Sequence, residues 1–287
     1  MGVLNIDDQT YRALNRWSWS TAKHVLDCPA EALDQRKRPI DTTDPMRLGT
    51  LMHALILERD TIDDRYVVTP EIVKGSNGYT WEGAGVMFKL KREAQAALAE
   101  RLGDRQQITR DALEMLDAWC DAPRNMIQAM QAKPEIAMAG EIEGCACKGK
   151  ADAISDRWLI DVKTVSDIKP ANIERTAVQR RWLGQLWTYA ELARQAGMEP
   201  EKIAIMLVQA PKASGTPIKM SASRQPRAAW RVMTLSEEAL AYGESEARRV
   251  WRAIRDCESA NDWPEYRAGV LNLPRWAKVE EVSAEVF

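Results

Sequence analysis

At 287 residues the chain suits one large domain or a core with a helical annex, and we favour the second. Hydrophobic residues at 45% and charged residues at 29% exclude extensive disorder, and no apolar run approaches the ~18 residues of a membrane helix. A net charge of −2 argues against nonspecific coating of a polyanion, so contact with nucleic acid has to come from a local basic patch.

The amino terminus has no basic segment followed by an apolar one, and the expected location is the cytoplasm. Five cysteines, an odd number, read as reduced thiols. Cys145 and Cys147 share one strand face, but their spacing is not the Cys-x-x-Cys of most metal sites, and they read as small buried hydrophobes.

In chain order, residues 17–35 are predicted helical, with Ser20 as a cap and an interruption at Cys28 and Pro29. From Pro45 to Glu58, the spacing of Leu48, Met52, Leu55 and Ile56 predicts an amphipathic helix with Pro45 in its first turn. A short strand, Tyr66 to Thr69, follows. The glycine-rich stretch Lys74 to Gly85 reads as a loop, with Trp81 a candidate for base stacking. Two helices are predicted from Val86 to Leu102 and from Thr109 to Gln131. Strands take over between Glu141 and Lys163. Helices then start at Pro170 and span Trp182 to Ala196, and strands are expected at Ile203 to Gln209 and Ala228 to Leu235. From Lys202 to Ser236 there is no acidic residue, and this stretch reads either as a DNA-contacting flap or as a hairpin loop with solvated charges. The order describes an α/β core with helices packed against a mixed sheet.

The chemistry centres on two aspartates. If Asp156 and Arg157 are the loop of a hairpin, Ser155 pairs with Trp158 and Asp152 falls opposite Asp161. Opposed β-carbons lie ~4.5 to 5.5 Å apart, so two bare carboxylates need a proton or a cation between them. Asp152 and Asp161 are therefore candidate ligands for Mg²⁺, with Mn²⁺ as a substitute, and the Val162 carbonyl is a further one. Lys163, on the same strand face as Asp161, is the candidate for orienting water or stabilising a phosphoryl transition state. His53 follows the small Gly49 by one helical turn and is either a packing residue or part of the metal shell. Gln185 and Tyr189 project from one helix face and are candidates to brace Lys163 or anchor a phosphate. Arg175, Arg180 and Arg181 read either as a solvated helix face or as contacts to a nucleic-acid backbone. Glu141 is a further candidate carboxylate.

Taken together, Leu48-Gly49-Thr50-Leu51-Met52-His53-Ala54, Lys148-Gly149-Lys150-Ala151-Asp152, Leu159-Ile160-Asp161-Val162-Lys163-Thr164, and Gln185 with Tyr189 resemble the PD-(D/E)xK nuclease superfamily. Within it the chain looks most like RecE-type (exonuclease VIII-like) domains of phages and prophages. Trp263-Pro264-Glu265-Tyr266 and Leu273-Pro274-Arg275-Trp276-Ala277 are similar to the carboxyl terminus of that group. The resemblance implies a restriction-endonuclease-like α/β core, a central mixed sheet flanked by helices with helical N-terminal additions. It places one nuclease domain over 1–287, with a mainly helical part at 1–135, a catalytic core at 136–260 and a tail at 261–287. It implies a Mg²⁺-dependent exonuclease on linear double-stranded DNA ends, cutting 5′ to 3′ and leaving 3′ single strands. The partner it implies is a single-strand annealing protein of the RecT or Bet type, and the assembly a trimeric or tetrameric ring. It assigns His53, Asp152, Asp161 and Val162 to the metal, Lys163 to catalysis, and Gln185 and Tyr189 to the supporting motif. Asp161 stands where the superfamily often has Glu, and Trp182 where a tyrosine is more usual. With Cys28 as an early cysteine but Cys257 as the only late one, the cluster-bearing branch is disfavoured and no iron–sulfur cluster is expected. Other substrates within the fold, an endonuclease or a single-strand-specific enzyme, and a non-cleaving DNA-end-binding protein remain as alternatives.

Overall fold

A computed structural model describes residues 2–38, 43–69, 106–211 and 229–266, together with the backbone of three short strands between residues 72 and 85. The chain opens with β1 (Gly2–Leu4) and α1 (Asp8–Ala13), whose first turn is capped by the Asp7 carboxylate accepting the Thr10 N–H at 2.7 Å. Next come β2 (Trp17–Ser18), α2 (Trp19–Ala22), a 3₁₀ turn at Lys23–Leu26 and α3 (Pro29–Lys37). Then α4 (Asp44–Leu57), α5 (Ile62–Arg65) and β3 (Tyr66–Thr69) lead to β4 (Ile72–Gly75), β5 (Gly78–Trp81) and β6 (Ala84–Gly85). After β7 (Gln106–Thr109) and α6 (Arg110–Ala129), the strands β8 (Lys133–Ile142), β9 (Cys145–Ile154) and β10 (Trp158–Val165) follow one another. The described chain closes with α7 (Pro170–Gln179), α8 (Trp182–Gln195), β11 (Lys202–Gln209), β12 (Trp230–Thr234) and α9 (Glu237–Ala260).

The main sheet runs β1-β8-β9-β10-β11-β12, with β2 also paired to β9. It is mixed. β10 and β11 are parallel, as are β2 and β9, while the other neighbours are antiparallel. A parallel pair needs a crossover, and α7 with α8 supplies the one between β10 and β11. Strand β11 is apolar on both faces: Ile205 and Leu207 join one buried cluster, Met206 and Val208 another. The first cluster includes Trp19, Leu186, Trp187 and Trp251, so α8 and α9 cover that face. The second includes Met52, Leu55, Leu116 and Ile127, so α4 and α6 cover the other. The result is a sheet between two helical layers.

Several sequence expectations change. Residues 17–35 are not one helix, because Trp17 and Ser18 pair with Cys147 and Lys148 of β9, and Ser18 rather than Ser20 precedes the first helical turn. The strand texture begins at Lys133 instead of Glu141. The stretch read as a loop at 74–85 contains β5, β6 and the end of β4, in an antiparallel three-stranded sheet, since alternating Tyr79 and Trp81 satisfy strand preference between the glycines. The helix expected at 86–102 lies outside the described residues, as do most of the acid-free stretch and the Leu273–Ala277 motif. Among the described residues no helix is long and apolar enough to cross a membrane.

Candidate metal centre

The centre forms where β9 changes partners. Its middle pairs with β2 through Cys147 and Lys148, and its end pairs with β10 through Ala153 and Ile154. The β9–β10 ladder starts at the Ser155–Trp158 turn, where the Ser155 N–H donates to the Trp158 carbonyl at 2.8 Å, and its last pair is Ile160 with Ala153. One step further in that register, Asp152 stands across from Asp161. Beyond the ladder, side chains serve the backbone of Val162. Its N–H donates to Asp152 Oδ2 at 2.6 Å, and its carbonyl oxygen lies 2.9 Å from His53 Nε2. His53 comes from α4, which packs on β10 from the face opposite α8.

The electrostatics of this site are unbalanced. Asp161 is 1% exposed, and neither of its carboxylate oxygens accepts a hydrogen bond. Lys163 Nζ comes within 2.7 Å of Oδ2, but off the hydrogen-bond direction, so the contact is Coulombic. Burial pushes the Asp161 carboxyl up to about 6, with Lys163 pulling it down and Asp152 adding to the rise. For Asp152, burial acts in the same sense, but the His53 charge and hydrogen bond prevail and hold it below its ordinary value. Burial likewise opposes a charge on His53, and Asp152, Glu135 and the Val162 carbonyl overcome it, raising its pKa well above 6.5. His53 Nε2 is 3.2 Å from Asp152 Oδ2.

On the other side of Asp161, Lys163 Nζ donates to Gln185 Oε1 at 3.2 Å, and Gln185 Nε2 donates to the Tyr189 hydroxyl oxygen at 3.0 Å. Gln185 and Tyr189 sit one turn apart on α8, as their spacing requires. Burial raises the Tyr189 phenol well above 10. The ring of Tyr189 lies against Gly149, where a β-carbon would come within 2.7 Å of it, so this glycine admits the aromatic side chain to the sheet. The Trp182 ring centroid is 5.9 Å from Lys163 Nζ.

The structure thus brings together His53, Asp152, Asp161, the Val162 carbonyl, Lys163, Gln185 and Tyr189. Glu141 is not among them. It is exposed, and its backbone is engaged at both ends by Gln195, at 3.1 and 2.8 Å, six residues along β8 from the centre. The carboxylate that does stand beside the centre is Glu135, which sequence reasoning missed. One ligand atom each from His53, Glu135 and Asp152 lie within 4.8 Å of one another. Arg181 is corrected too. Held at φ 57°, it donates to the Lys23 carbonyl and to both oxygens of Asp27, at 2.7 to 2.8 Å, and it joins helices rather than facing solvent. Arg175 and Arg180 are exposed. Gly49 is not a close-approach position: a β-carbon there would meet nothing within 4 Å. The two lysines before Asp152 have separate tasks. Lys148, 7% exposed, donates from Nζ to the carbonyls of Tyr11, Arg12 and Leu14 at 2.8, 3.0 and 3.0 Å, whereas Lys150 pairs with Asp8 and Glu135.

Solved structures that resemble this one include two named as exonucleases. A protein from Eubacterium rectale named as a candidate exonuclease superposes with a TM-score of 0.51 at 14% identity, covering 99% of this chain and 100% of its own. A phage-related exonuclease from Haemophilus somnus 129PT gives a TM-score of 0.33 at 10% identity, over 88% of this chain and 99% of its own, and carries no argument. The first likeness shows the fold. No curated protein matches the chain. Residues 18–275 match a family model described as a PDDEXK-like domain of unknown function, DUF3799. With the mixed sheet between helical layers and the Asp-x-Lys strand at its centre, this chain belongs to the DUF3799 family of PDDEXK-like domains.

Proposed function

We propose that the protein is a divalent-metal-dependent deoxyribonuclease acting on the ends of linear duplex DNA. The observation that carries this reading is Asp161, a buried carboxylate with no hydrogen-bond donor on either oxygen, across from Asp152 and beside Lys163. A buried charge is normally paired or bound to a metal; Lys163 pairs with Oδ2 alone and leaves Oδ1 without a partner, and hard carboxylate oxygens with one imidazole suit Mg²⁺ or Mn²⁺. His53, Asp152, Asp161 and the Val162 carbonyl would hold the ion. When bound, it supplies charge neutralisation at the phosphate and a more acidic water.

The remaining groups work around that position. Gln185 fixes the Lys163 ammonium, and its own amide is fixed by Tyr189. An ammonium has three N–H groups, so with Gln185 on one and Asp161 beside another, Lys163 keeps one to meet a phosphate oxygen or orient a water. A protein of this fold that only bound DNA would be expected to lack Asp152, Asp161 or Lys163, and all three are present.

Magnesium as the working ion, 5′-to-3′ polarity, a trimeric or tetrameric ring enclosing DNA, and an annealing partner for the 3′ strands are further parts of the proposal. Their support is the RecE-type motif order; the likeness to the Eubacterium rectale structure is one of fold. Linear duplexes labelled separately at the 5′ and 3′ ends, incubated with Mg²⁺, with EDTA and with Asp161→Ala, test the reading. The expected result is release of the 5′ label with Mg²⁺ alone. Cutting that persists in EDTA or in Asp161→Ala overturns the metal assignment. Equal cutting of closed circles, or prior release of the 3′ label, overturns the end-directed 5′ activity. Sedimentation tests the ring, which a monomer at working concentration contradicts.

A further inference from the structure

We propose that Glu135 and Lys150 are positioning residues that fix the His53 imidazole toward the cation site, an inference resting on the reading above for the identity of that site. The two edges of the ring face different partners. Nε2 looks at Asp152 Oδ2 and the Val162 carbonyl, at 3.2 and 2.9 Å, which is the side of the carboxylate pair. Nδ1 looks the other way, at Glu135 Oε1, 3.8 Å distant. The second oxygen of Glu135 is taken by Lys150 Nζ at 2.6 Å, and the same ammonium reaches Asp8 Oδ1 at 2.5 Å. Asp8 lies in the first turn of α1, and the other end of that helix is tied to β9 by the three carbonyl bonds of Lys148. A chain of opposite charges thus runs from α1 through Lys150 and Glu135 to the ring.

A histidine that binds a metal through one nitrogen needs its other nitrogen protonated and held, and a carboxylate is a common partner for it. Glu135 fits this role better than that of a ligand. It stands on the Nδ1 side, and one of its oxygens is already neutralised by Lys150. Its backbone points to the same selection: Glu135 has φ 55°, the left-handed region that residues other than glycine seldom occupy, in the course of β8.

The test is titration of Mn²⁺ into the metal-stripped full chain by calorimetry, which needs no DNA. Glu135→Ala is expected to weaken Mn²⁺ binding by about 10- to 100-fold. Lys150→Ala is expected to weaken it by a smaller factor, and Lys150→Arg to restore it. In a His53→Ala background, Glu135→Ala is expected to add nothing, because its effect passes through the ring. Glu135→Gln keeps the side-chain volume and gives the same reading if the alanine variant fails to fold. The proposal is overturned if both Glu135 variants bind Mn²⁺ within about twofold of the unaltered protein. It is also overturned if Glu135→Ala weakens binding equally with and without His53, which would make Glu135 a ligand itself. Coupled Mn²⁺ binding in a protein that cuts no DNA would refute the nuclease reading and leave this one standing. Absence of Mn²⁺ binding by the unaltered protein would refute both.

Discussion

Asp161 lies one register step beyond the last ladder pair joining β9 to β10, across from Asp152, and both its oxygens are buried without a hydrogen-bond donor. Such an arrangement destabilises the metal-free protein and rewards an ion. Mn²⁺ at about 100 times its dissociation constant adds ~2.7 kcal/mol, which for a chain of this size raises the melting temperature by about 4 to 5 °C. Asp161→Asn is expected to lose most of that rise. In EDTA at pH 8 it should melt no lower than the unaltered protein, because the amide removes a buried charge. Thermal melts of both proteins with EDTA and with Mn²⁺ check the two expectations.

The facing of Asp152 and Asp161 was legible because a two-residue loop fixes every pair behind it. The same arithmetic applies to the hairpin before it. Glu143 and Gly144 have φ 53° and 78°, the two positive values of a tight hairpin turn, and Ile142 pairs with Cys145. Counting back along that ladder puts Glu135 opposite Asp152, so Glu135 was within reach of the sequence, whereas Glu141, taken as the start of the strand pair, lies near the end of a strand that begins at Lys133. The roles of β1 and β2 were not legible. Strands of three and two residues carry no periodicity, and they exist because the edges of β8 and β9 accept them. Nor did anything local show that Arg181 would be consumed by Asp27, which lies 154 residues away in sequence.

Gly149 touches Tyr189 so closely that a methyl group there cannot be accommodated without a shift. A β-carbon would lie 2.7 and 2.8 Å from two ring carbons and 3.0 Å from Leu192 Cδ1. Gly149→Ala is expected to cost about 1 to 3 kcal/mol by overpacking. In the Tyr189→Ala background the cost should fall, since the obstructing ring is gone, and urea unfolding of the four proteins of this double-mutant cycle measures the coupling.

Lys148 is buried and serves three carbonyls at the end of α1, so its removal leaves acceptors that water reaches poorly. Lys148→Met keeps much of the side-chain bulk while deleting the donors, and is expected to cost about 2 kcal/mol or more. Hydrogen exchange should show the loss concentrated in residues 8–14, with β10 and β11 keeping their protection. A uniform loss would mean that the N-terminal segment is no separate unit of stability.

Glu143, at the tip of the β8–β9 hairpin, ties that turn to α9. Arg252 donates to both of its oxygens, at 2.8 and 3.2 Å, and Arg248 adds a third bond. Hydrogen bonds from Arg252 and then Arg248 hold its carboxyl down at about 2, against an ordinary value of 4.5. Since the folded value is the lower one, this contribution to stability is complete above about pH 4.5 and disappears as the pH falls toward 2. The two arginine side chains are 42% and 53% exposed, so solvent screens the pair and the effect amounts to a few degrees of melting temperature. Glu143→Gln is therefore expected to melt lower than the unaltered protein by a constant margin from pH 8 to pH 5. That margin should narrow between about pH 4.5 and the acid limit of folding. Melting curves across this range decide the matter, because a margin that stays constant at low pH would mean the turn is held by the backbone contact from Arg255 to the Glu143 carbonyl instead of by the carboxylate.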